Sequence, residues 1–216
     1  MAGIRIAPEG WRVIGSVAAV LGAVAVAASF AGWWAAWGLF ALGVGFCLWF
    51  FRDPERAVPA GDRLIVSPAD GKVVDVRAVE RADVLEGPAT RISIFMSPLN
   101  VHVNRSPVAG RIEAVRHTAG RFRAAFADKA SDENERTAVV LSGGGRRFLV
   151  VQIAGALARR IICRRGTGDT LARGERYGLI MFGSRVDLYV PPDVTVRAAL
   201  GQRVQAGRTV IGEIPC

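Results

Sequence analysis

The Gly183–Ser184 pair is where the sequence most directly suggests chemistry, because it separates two β-like runs without a turn sequence around it. The runs are residues 179–182 and 186–190. Glycine inside a strand weakens the strand, and it marks a β-bulge or a point of close backbone approach. Gly183 has no Cβ, so its carbonyl is uncrowded and open to attack by the Ser184 hydroxyl, an N→O acyl shift within the chain. The pair is therefore either a bulge in a core strand or a site of self-processing.

Two histidines and one aspartate are the further candidates for acid–base chemistry. His102 lies between two Ser-Pro breaks, and strand alternation places it on one face with Asn100 and Asn104. That polar face is either an exposed edge strand or part of a site. His117 follows a predicted strand and is either an exposed polar residue or a second useful imidazole. Asp70, in a Pro-Ala-Asp-Gly turn, is either a turn former whose carboxylate caps its own backbone or a functional carboxylate.

The composition restricts the partners of this chain. It has 216 residues, enough for one domain and a small appendage, and 51% of them are hydrophobic. The net charge of +9 comes almost wholly from arginine, since Lys72 and Lys129 are the only lysines. Such a balance indicates an acidic partner, and without a recognisable nucleic-acid module we expect an anionic membrane face and no nucleic acid. Cys47, Cys163 and Cys216 are unclustered, which argues against a disulfide framework or a metal site and for a reducing compartment.

Residues 13–51 carry no formal charge. A single helix of that length would run roughly 58 Å, about twice the thickness of the hydrocarbon layer. We therefore predict two helices, with a break near residues 29–32, that form a membrane-anchoring hairpin within residues 1–56. Arginines flank the run on both sides, so the positive-inside rule places both of its ends, and the domain that follows, on the cytoplasmic side of the cell membrane. A shallow re-entrant hairpin and a signal peptide are the alternatives, and the basic flank after the run argues against the second.

Residues 57–216 are predicted to form a β-rich domain, with residues 52–61 as a linker, because short apolar alternations separated by Gly and Pro dominate there. The predicted strands cover residues 64–66, 71–76, 91–96, 110–115, 138–141, 148–153 and 160–163. Three segments share a Gly-x-x-Val cadence typical of barrel-sandwich hybrids, which gives a mainly β fold with an N-terminal α-helical membrane hairpin. Lipoyl and biotinyl carriers share this cadence, but neither lysine has the hairpin-tip setting of a carrier lysine.

Four motifs, in order along the chain, resemble those of the phosphatidylserine decarboxylase family in its short bacterial and archaeal form. They are Phe51-Arg52-Asp53-Pro54, Ser67-Pro68-Ala69-Asp70-Gly71, Met96-Ser97-Pro98-Leu99-Asn100-Val101-His102-Val103-Asn104-Arg105 and Phe182-Gly183-Ser184-Arg185-Val186-Asp187. Further similarity at residues 129–131, 134–136 and 152–160 extends the resemblance over nearly the whole chain. It implies a proenzyme that cuts itself between Gly183 and Ser184. The products would be a membrane-bound β subunit, residues 1–183, and a small α subunit, residues 184–216.

The resemblance also implies a pyruvate cofactor that the chain makes from itself. Ser184 Oγ attacks the Gly183 carbonyl to give an ester, β-elimination leaves dehydroalanine, and hydrolysis of its imine tautomer yields a pyruvoyl ketone at position 184. In the family, that ketone forms a Schiff base with the amine of phosphatidylserine and accepts the electrons released as CO₂ departs. The product is phosphatidylethanolamine, and neither a metal nor a nucleotide is implied.

The family motifs give roles to the candidate residues. Asp70 matches the aspartate of an Asp-His-Ser arrangement, and His102 matches the histidine associated with decarboxylation, for which it is the expected proton donor. Many longer members carry a second histidine three residues further on, where this chain has Arg105, so the base for self-cleavage is either His102 or His117. The expected partners are an anionic phospholipid, the membrane and the other cleavage product, with the oligomeric state and acyl-chain preference left open. The alternative functions are a non-catalytic membrane-anchored adaptor and a pyruvoyl decarboxylase of another substrate.

Overall fold

A computed structural model describes the chain at residues 4–82, 85, 87–120, 134–155, 160–181 and 183–215. Its contacts divide the chain into two compact units, Met1–Glu55 and Arg56–Cys216. The family-like segment at residues 129–131 lies outside the described residues, as do Phe182 of the Gly-Ser motif and residues 156–159.

The first unit consists of two helices, with one short strand before the first helix and another after the second. Its elements are β1 Ile4–Ile6, α1 Gly10–Phe30, α2 Ala36–Phe50 and β2 Arg52–Pro54. The two strands pair antiparallel, so the start of the predicted linker is a strand instead. A partner from the beginning of the chain explains the difference. Arg5 lies opposite Asp53 in the ladder, and its guanidinium lies 3.3 Å from the carboxylate of Glu55.

The helix break occurs at residues 31–35, close to the predicted position. Glycines let the two helices approach each other closely. A Cβ on Gly22 would lie 3.6 Å from the Phe40 ring, and a Cβ on Gly43 would overlap Leu21 Cδ1 at 2.5 Å. Small residues at helix contacts are typical of helices that pack within lipid. α1 has the length and hydropathy of a membrane-spanning helix, whereas α2, with 15 residues, is shorter.

The second unit is almost entirely β-structure in its described residues. Its strands are β3 Leu64–Val66, β4 Gly71–Ala82, β5 Gly87–Met96, β6 Val103–Arg105, β7 Gly110–Thr118, β8 Arg136–Gly143, β9 Arg146–Ile153, β10 Ile161–Cys163, β11 Thr170–Leu171, β12 Arg176–Ile180, β13 Ser184–Val190, β14 Thr195–Val196, β15 Arg203–Val204 and β16 Val210–Glu213. Every predicted strand is present, several of them longer than predicted. The mainly β class with an N-terminal helical segment is confirmed.

The strands of the second unit form one large sheet and two small ones, with antiparallel pairing throughout the described residues. The large sheet has eight strands in the order β11-β7-β8-β9-β13-β5-β4-β15. The small sheets have the orders β10-β12-β6 and β14-β16-β3. Side chains from all three sheets share one apolar core, which includes Ile94, Val150, Val186, Ile180 and Ile211. β13, the strand that begins at Ser184, therefore lies in the interior of the large sheet with a neighbour on each side.

The chain changes sheets at Gly183. β12 ends at Ile180 in a small sheet and β13 begins at Ser184 in the large sheet, so the two β-like runs do not form one bulged strand. Gly183 has a φ of +62°, in the left-handed region that glycine adopts without the steric cost of a Cβ. The expected bulge is instead a corner between two sheets, and the Gly-Ser peptide is part of that corner.

Candidate active site

Ser184 is fully buried at the first position of β13, where it pairs with Met96 of β5. Its Oγ lies 3.4 Å from Met96 Sδ. A thioether is a weak hydrogen-bond acceptor, so this contact holds the hydroxyl loosely. A serine with a strong acceptor would be restrained in its resting position. Ser184 is thus shielded from solvent, and its hydroxyl is weakly held.

His102 brings an imidazole to the backbone amide of the residue before Ser184, Gly183. It is fully buried, and its Nδ1 lies 3.0 Å from the carbonyl oxygen of Asn100 while its Nε2 lies 3.4 Å from the amide nitrogen of Gly183. A carbonyl can only accept, so these contacts assign the proton to Nδ1, and the Nε2 lone pair accepts from the Gly183 N–H. The His102 carbonyl accepts from the Ile180 amide at 3.3 Å, which ties this segment to the end of β12. The basic ring nitrogen is therefore directed at the Gly-Ser corner.

The Asn100, His102 and Asn104 face is not an exposed edge, since His102 and Asn104 are 0% exposed. Asn100 closes the preceding turn, because its Oδ1 accepts from both the backbone N–H and the hydroxyl of Ser97 at 2.9 Å. Asn104 Nδ2 lies 3.7 Å from Met96 Sδ, the same sulfur that Ser184 Oγ contacts. The exposed-strand interpretation is wrong for His102 and Asn104, which are buried and contact Gly183 and Met96, whereas Asn100 is partly exposed.

Asp70 makes a buried ion pair instead of capping its own turn. Its two carboxylate oxygens accept from the two terminal nitrogens of Arg56, with Nη2 to Oδ2 at 2.7 Å, and Oδ1 also accepts from the Ala206 amide at 2.8 Å. Lys72 and Arg185 pair with Phe95 from opposite sides, so the start of β4 lies two strands, about 10 Å, from the start of β13. Asp70 therefore lies beyond the first layer of groups around Ser184, and its place in an Asp-His-Ser arrangement stays a prediction.

His117 lies at the surface of the large sheet. Its side chain is 55% exposed, its Nδ1 lies 3.2 Å from Thr137 Oγ1, and its Nε2 lies 3.9 Å from Glu135 Oε1. The register runs from His117 through Thr137 and Gln152 to Val186, which places His117 three strands, about 14 Å, from β13. The fold thus brings His102 to Gly183 and leaves His117 at a distance, and a role for His117 as the cleavage base stays a prediction.

Arg105, at the position where longer family members have a second histidine, is buried and directed elsewhere. Its Nη1 donates to the Gly174 carbonyl at 3.2 Å, and its Cδ would lie 2.9 Å from a Cβ placed on Gly207. Arg105 therefore supports the loops at residues 174 and 207 and offers no replacement for an imidazole at Ser184.

The outer face of β13 carries a buried charged pair that the sequence reasoning missed. Arg185 Nε lies 2.9 Å from Asp187 Oδ1, and both residues alternate with Ser184 along the strand, so they lie on its opposite face. Burial, together with the Asp187 carboxylate, raises the pKa of Tyr189 on the same face. Arg91 of β5 adds a second ion pair to this face, with Nη2 at 2.7 Å from Asp75 Oδ2. The Arg185–Asp187 pair lies within β13, next to its first residue, and the Arg91–Asp75 pair joins β5 to β4.

Two more residues of the candidate site were missed, Gln152 and Met96, and the first of them had a detectable signal. Gln152 interrupts the apolar run of β9 and is fully buried, as is Met96 at the end of β5. A polar residue inside an apolar strand needs a buried partner, which should have marked Gln152 as part of a polar cluster. Gln152 Nε2 donates to Asn104 Oδ1 at 2.9 Å.

Comparison with known proteins identifies one family. A family model described as phosphatidylserine decarboxylase matches residues 44–212. A protein of Symbiobacterium thermophilum named phosphatidylserine decarboxylase proenzyme is 47% identical over 212 residues, which cover 97% of this chain and 96% of that protein. Proteins with the same name from Ruegeria pomeroyi and Desulfotalea psychrophila are 47% and 45% identical, over 96% and 82% of this chain and 94% and 83% of their own lengths.

Proposed function

The chain belongs to the phosphatidylserine decarboxylase family, and we propose that it converts phosphatidylserine to phosphatidylethanolamine and CO₂ after cutting its own backbone between Gly183 and Ser184. The observation that carries the proposal is the fully buried Ser184 at the Gly-Ser corner, where the Gly183 N–H donates to the Nε2 of His102 at 3.4 Å. Relatives that share almost half of the sequence are named proenzymes, which supports maturation by cleavage.

Self-cleavage needs a nucleophile and a base at one peptide bond. Ser184 Oγ attacks the Gly183 carbonyl, its proton passes to His102 Nε2, and the C–N bond breaks as the Ser184 nitrogen takes that proton. The resulting ester loses the Cα proton of residue 184 and expels the Gly183 carboxylate. Hydrolysis of the remaining enamine releases ammonia and leaves the ketone. A buried base with its other nitrogen held by a carbonyl keeps one orientation through these steps.

The residues around Ser184 fit a pyruvoyl group. Its methyl carbon would derive from the Ser184 Cβ, whose oxygen now contacts the Met96 thioether, and a thioether suits a methyl group as a neighbour. When formed, the group supplies an electron sink for the pair released as CO₂ leaves. Met96 would hold it, and β5 and β9 would fix the strand that bears it. His102 is the proposed proton donor to the carbon that loses CO₂.

The N-terminal helices supply the proposed attachment to the membrane. α1 is apolar along a length that can cross a bilayer, and arginines precede α1 and follow α2. We place both ends of the hairpin, and the catalytic unit, on the cytoplasmic side of the cell membrane. The two cleavage products would remain together as a heterodimer, since their strands share sheets.

Mass spectrometry of the purified protein under denaturing conditions tests the proposal. We expect a fragment of residues 184–216 that carries a ketone in place of the amino terminus, and an intact chain for Ser184→Ala. An intact wild-type chain would contradict self-cleavage and favour the non-catalytic adaptor. CO₂ release from phosphatidylserine vesicles, but not from free serine, separates the proposed substrate from a soluble amino acid.

A further inference from the structure

Two fully buried amides, Asn104 and Gln152, lie beside Ser184 in addition to the proposed nucleophile and base. Gln152 Nε2 donates to Asn104 Oδ1 at 2.9 Å. Because the oxygen of the Asn104 amide is engaged there, its NH₂ group is turned the other way, where Nδ2 lies 3.7 Å from Met96 Sδ. The orientation of the Asn104 amide is therefore set by Gln152.

The fold holds Gln152 in place for this contact. Gln152 pairs with Val186, two residues along β13 from Ser184, and long side chains reach such a diagonal neighbour. A Cβ on Gly178 would lie only 2.9 Å from Gln152 Nε2, so the amide packs directly against the backbone of β12. Its Oε1 has no hydrogen-bond partner among the described residues. A buried amide kept with one end unsatisfied calls for a function.

The NH₂ group of Asn104 is poorly satisfied at rest. Within the described part of the chain its acceptor is the Met96 sulfur, which Ser184 Oγ contacts from 3.4 Å. Sulfur is a weak acceptor, so this donor gains much more from a negatively charged oxygen than it loses by leaving the thioether. A group that bonds the transition state better than the ground state accelerates the step.

We propose that Asn104 donates a hydrogen bond to the oxygen anion that forms on the Gly183 carbonyl, and that Gln152 is a positioning residue for Asn104. The inference rests on the proposed self-cleavage. As the bond from Ser184 Oγ to the carbonyl carbon forms, the carbonyl π pair moves onto oxygen and Asn104 Nδ2–H stabilises that charge. The electron pair on that oxygen then re-forms the carbonyl as the C–N bond breaks. His102 and Asn104 are two residues apart, so one segment supplies both the base and the donor.

The rate of chain cleavage in newly synthesised full-length protein, followed on a denaturing gel, tests the proposal. We expect Asn104→Leu to cleave about 10²–10³-fold more slowly than the wild type, the usual loss for one such donor. Asn104→Asp keeps the shape of the side chain but removes the donor, and we expect a similar loss. Its carboxyl group regains a donor when protonated, so the ratio of its cleavage rate to that of the wild type rises as the pH is lowered. Both chains need an unprotonated His102, so this ratio isolates the effect of position 104.

Three further variants separate a chemical role from a structural one. Gln152→Leu should slow cleavage about tenfold, since it releases the Asn104 amide without removing it. Asn134→Asp is the matched control, because Asn134 is also a buried amide and its Nδ2 donates to the Ala154 carbonyl at 2.7 Å. It should cleave at the wild-type rate whenever it folds. Ser184→Ala marks the uncleaved chain.

Cleavage of Asn104→Asp at the wild-type rate, or with the wild-type pH profile, would overturn the proposed donor role even if Asn104→Leu does not fold. A wild-type chain that never cleaves would instead refute the proposed function itself.

Discussion

The Nε2 atom of His102 lies 3.4 Å from the amide nitrogen of Gly183, the residue whose carbonyl precedes Ser184. The imidazole reaches this position from the segment before β6, whereas the peptide belongs to the corner between β12 and β13. Three strands from two sheets therefore meet where the chain is proposed to break.

His102→Ala should slow chain cleavage by about 10²–10⁴-fold, the usual contribution of a positioned general base. The reason is the loss of the nitrogen that faces Gly183. Denaturing gels of samples taken during synthesis measure the rate. His117→Ala provides the contrast: if the exposed His117 supplies the base instead, His117→Ala is slow and His102→Ala cleaves normally.

Gly183→Ala should impair cleavage through the backbone alone. Among the described residues other than its chain neighbours, a Cβ there would meet only Pro98 Cγ at 3.9 Å, so there is space, but the φ of +62° costs a non-glycine residue about 1–2 kcal/mol. The corner would relax and move the carbonyl away from Ser184 Oγ. Gly145→Ala is the matched control, since Gly145 has a φ of +71° and no described atom outside its chain neighbours lies within 4 Å of its Cβ position. Both variants should lose similar thermal stability, and equal cleavage rates would refute a special role for the corner.

Arg56→Gln should weaken the association between the two proposed cleavage products, residues 1–183 and 184–216. Asp70 accepts from Arg56 and from the Ala206 amide, and Arg56 Nη1 donates to the Ala206 carbonyl at 2.8 Å, so this cluster joins residues on both sides of the proposed cut. Both charged side chains are only 9–10% exposed, and removing one partner of such a pair costs about 3–5 kcal/mol.

Urea titration of the mature protein, with the release of residues 184–216 followed by size exclusion, measures this effect. Arg147→Gln serves as the comparison, because the Arg147–Glu113 pair at 2.7 Å is 46% and 35% exposed. An exposed pair contributes about 1 kcal/mol or less. Equal urea midpoints for the release of residues 184–216 in the two variants would show that the Arg56–Asp70 pair does not hold the two cleavage products together.

Tyr177→Phe should stabilise the protein, and increasingly so at alkaline pH. Burial raises the pKa of Tyr177 well above its usual value, with the charge of Cys163 as the smaller cause, and its hydroxyl has no hydrogen-bond partner among the described residues. Its folded-state pKa exceeds the unfolded one, so stability is complete below about pH 10 and falls as the pH rises above it. Removing the hydroxyl also removes an unsatisfied group that costs about 1–3 kcal/mol. Thermal midpoints between pH 7 and pH 11 check both parts; a variant that loses stability at pH 7 would show that the hydroxyl has a partner.

Local patterns in the sequence predicted the strands well, because alternation and Gly-Pro punctuation are properties of neighbouring residues. They also singled out the Gly-Ser pair and His102, whose Nε2 lies near the Gly183 amide in the fold. They did not predict that β12 and β13 belong to different sheets, since strand pairing depends on contacts between residues far apart in the chain. The expected bulge therefore proved to be a corner.

The partner of Asp70 was out of reach for the same reason. Arg56 is one of the arginines that follow the apolar run in the sequence, and nothing in its neighbourhood indicates its contacts with Asp70 and Ala206. Gln152 differs, because a glutamine inside the apolar strand β9 is visible in the sequence. Its neighbours Asn104 and Ser184 become known only once β9, β13 and the segment around β6 are brought together.

Because β13 lies between β5 and β9, we expect that the mature protein, once unfolded, cannot reach its structure again by the route that the uncut precursor takes. A new chain end would arise at a residue that is 0% exposed, whereas chain ends ordinarily lie at the surface. Such an end can be made only after the sheet has closed around it. After unfolding, β13 would belong to a separate fragment and would have to insert between β5 and β9 of the other fragment. In the precursor, β13 reaches this position as part of one continuous chain. We expect the precursor to refold and the mature enzyme, once denatured, to be lost, so its lifetime is set by how slowly the sheet opens.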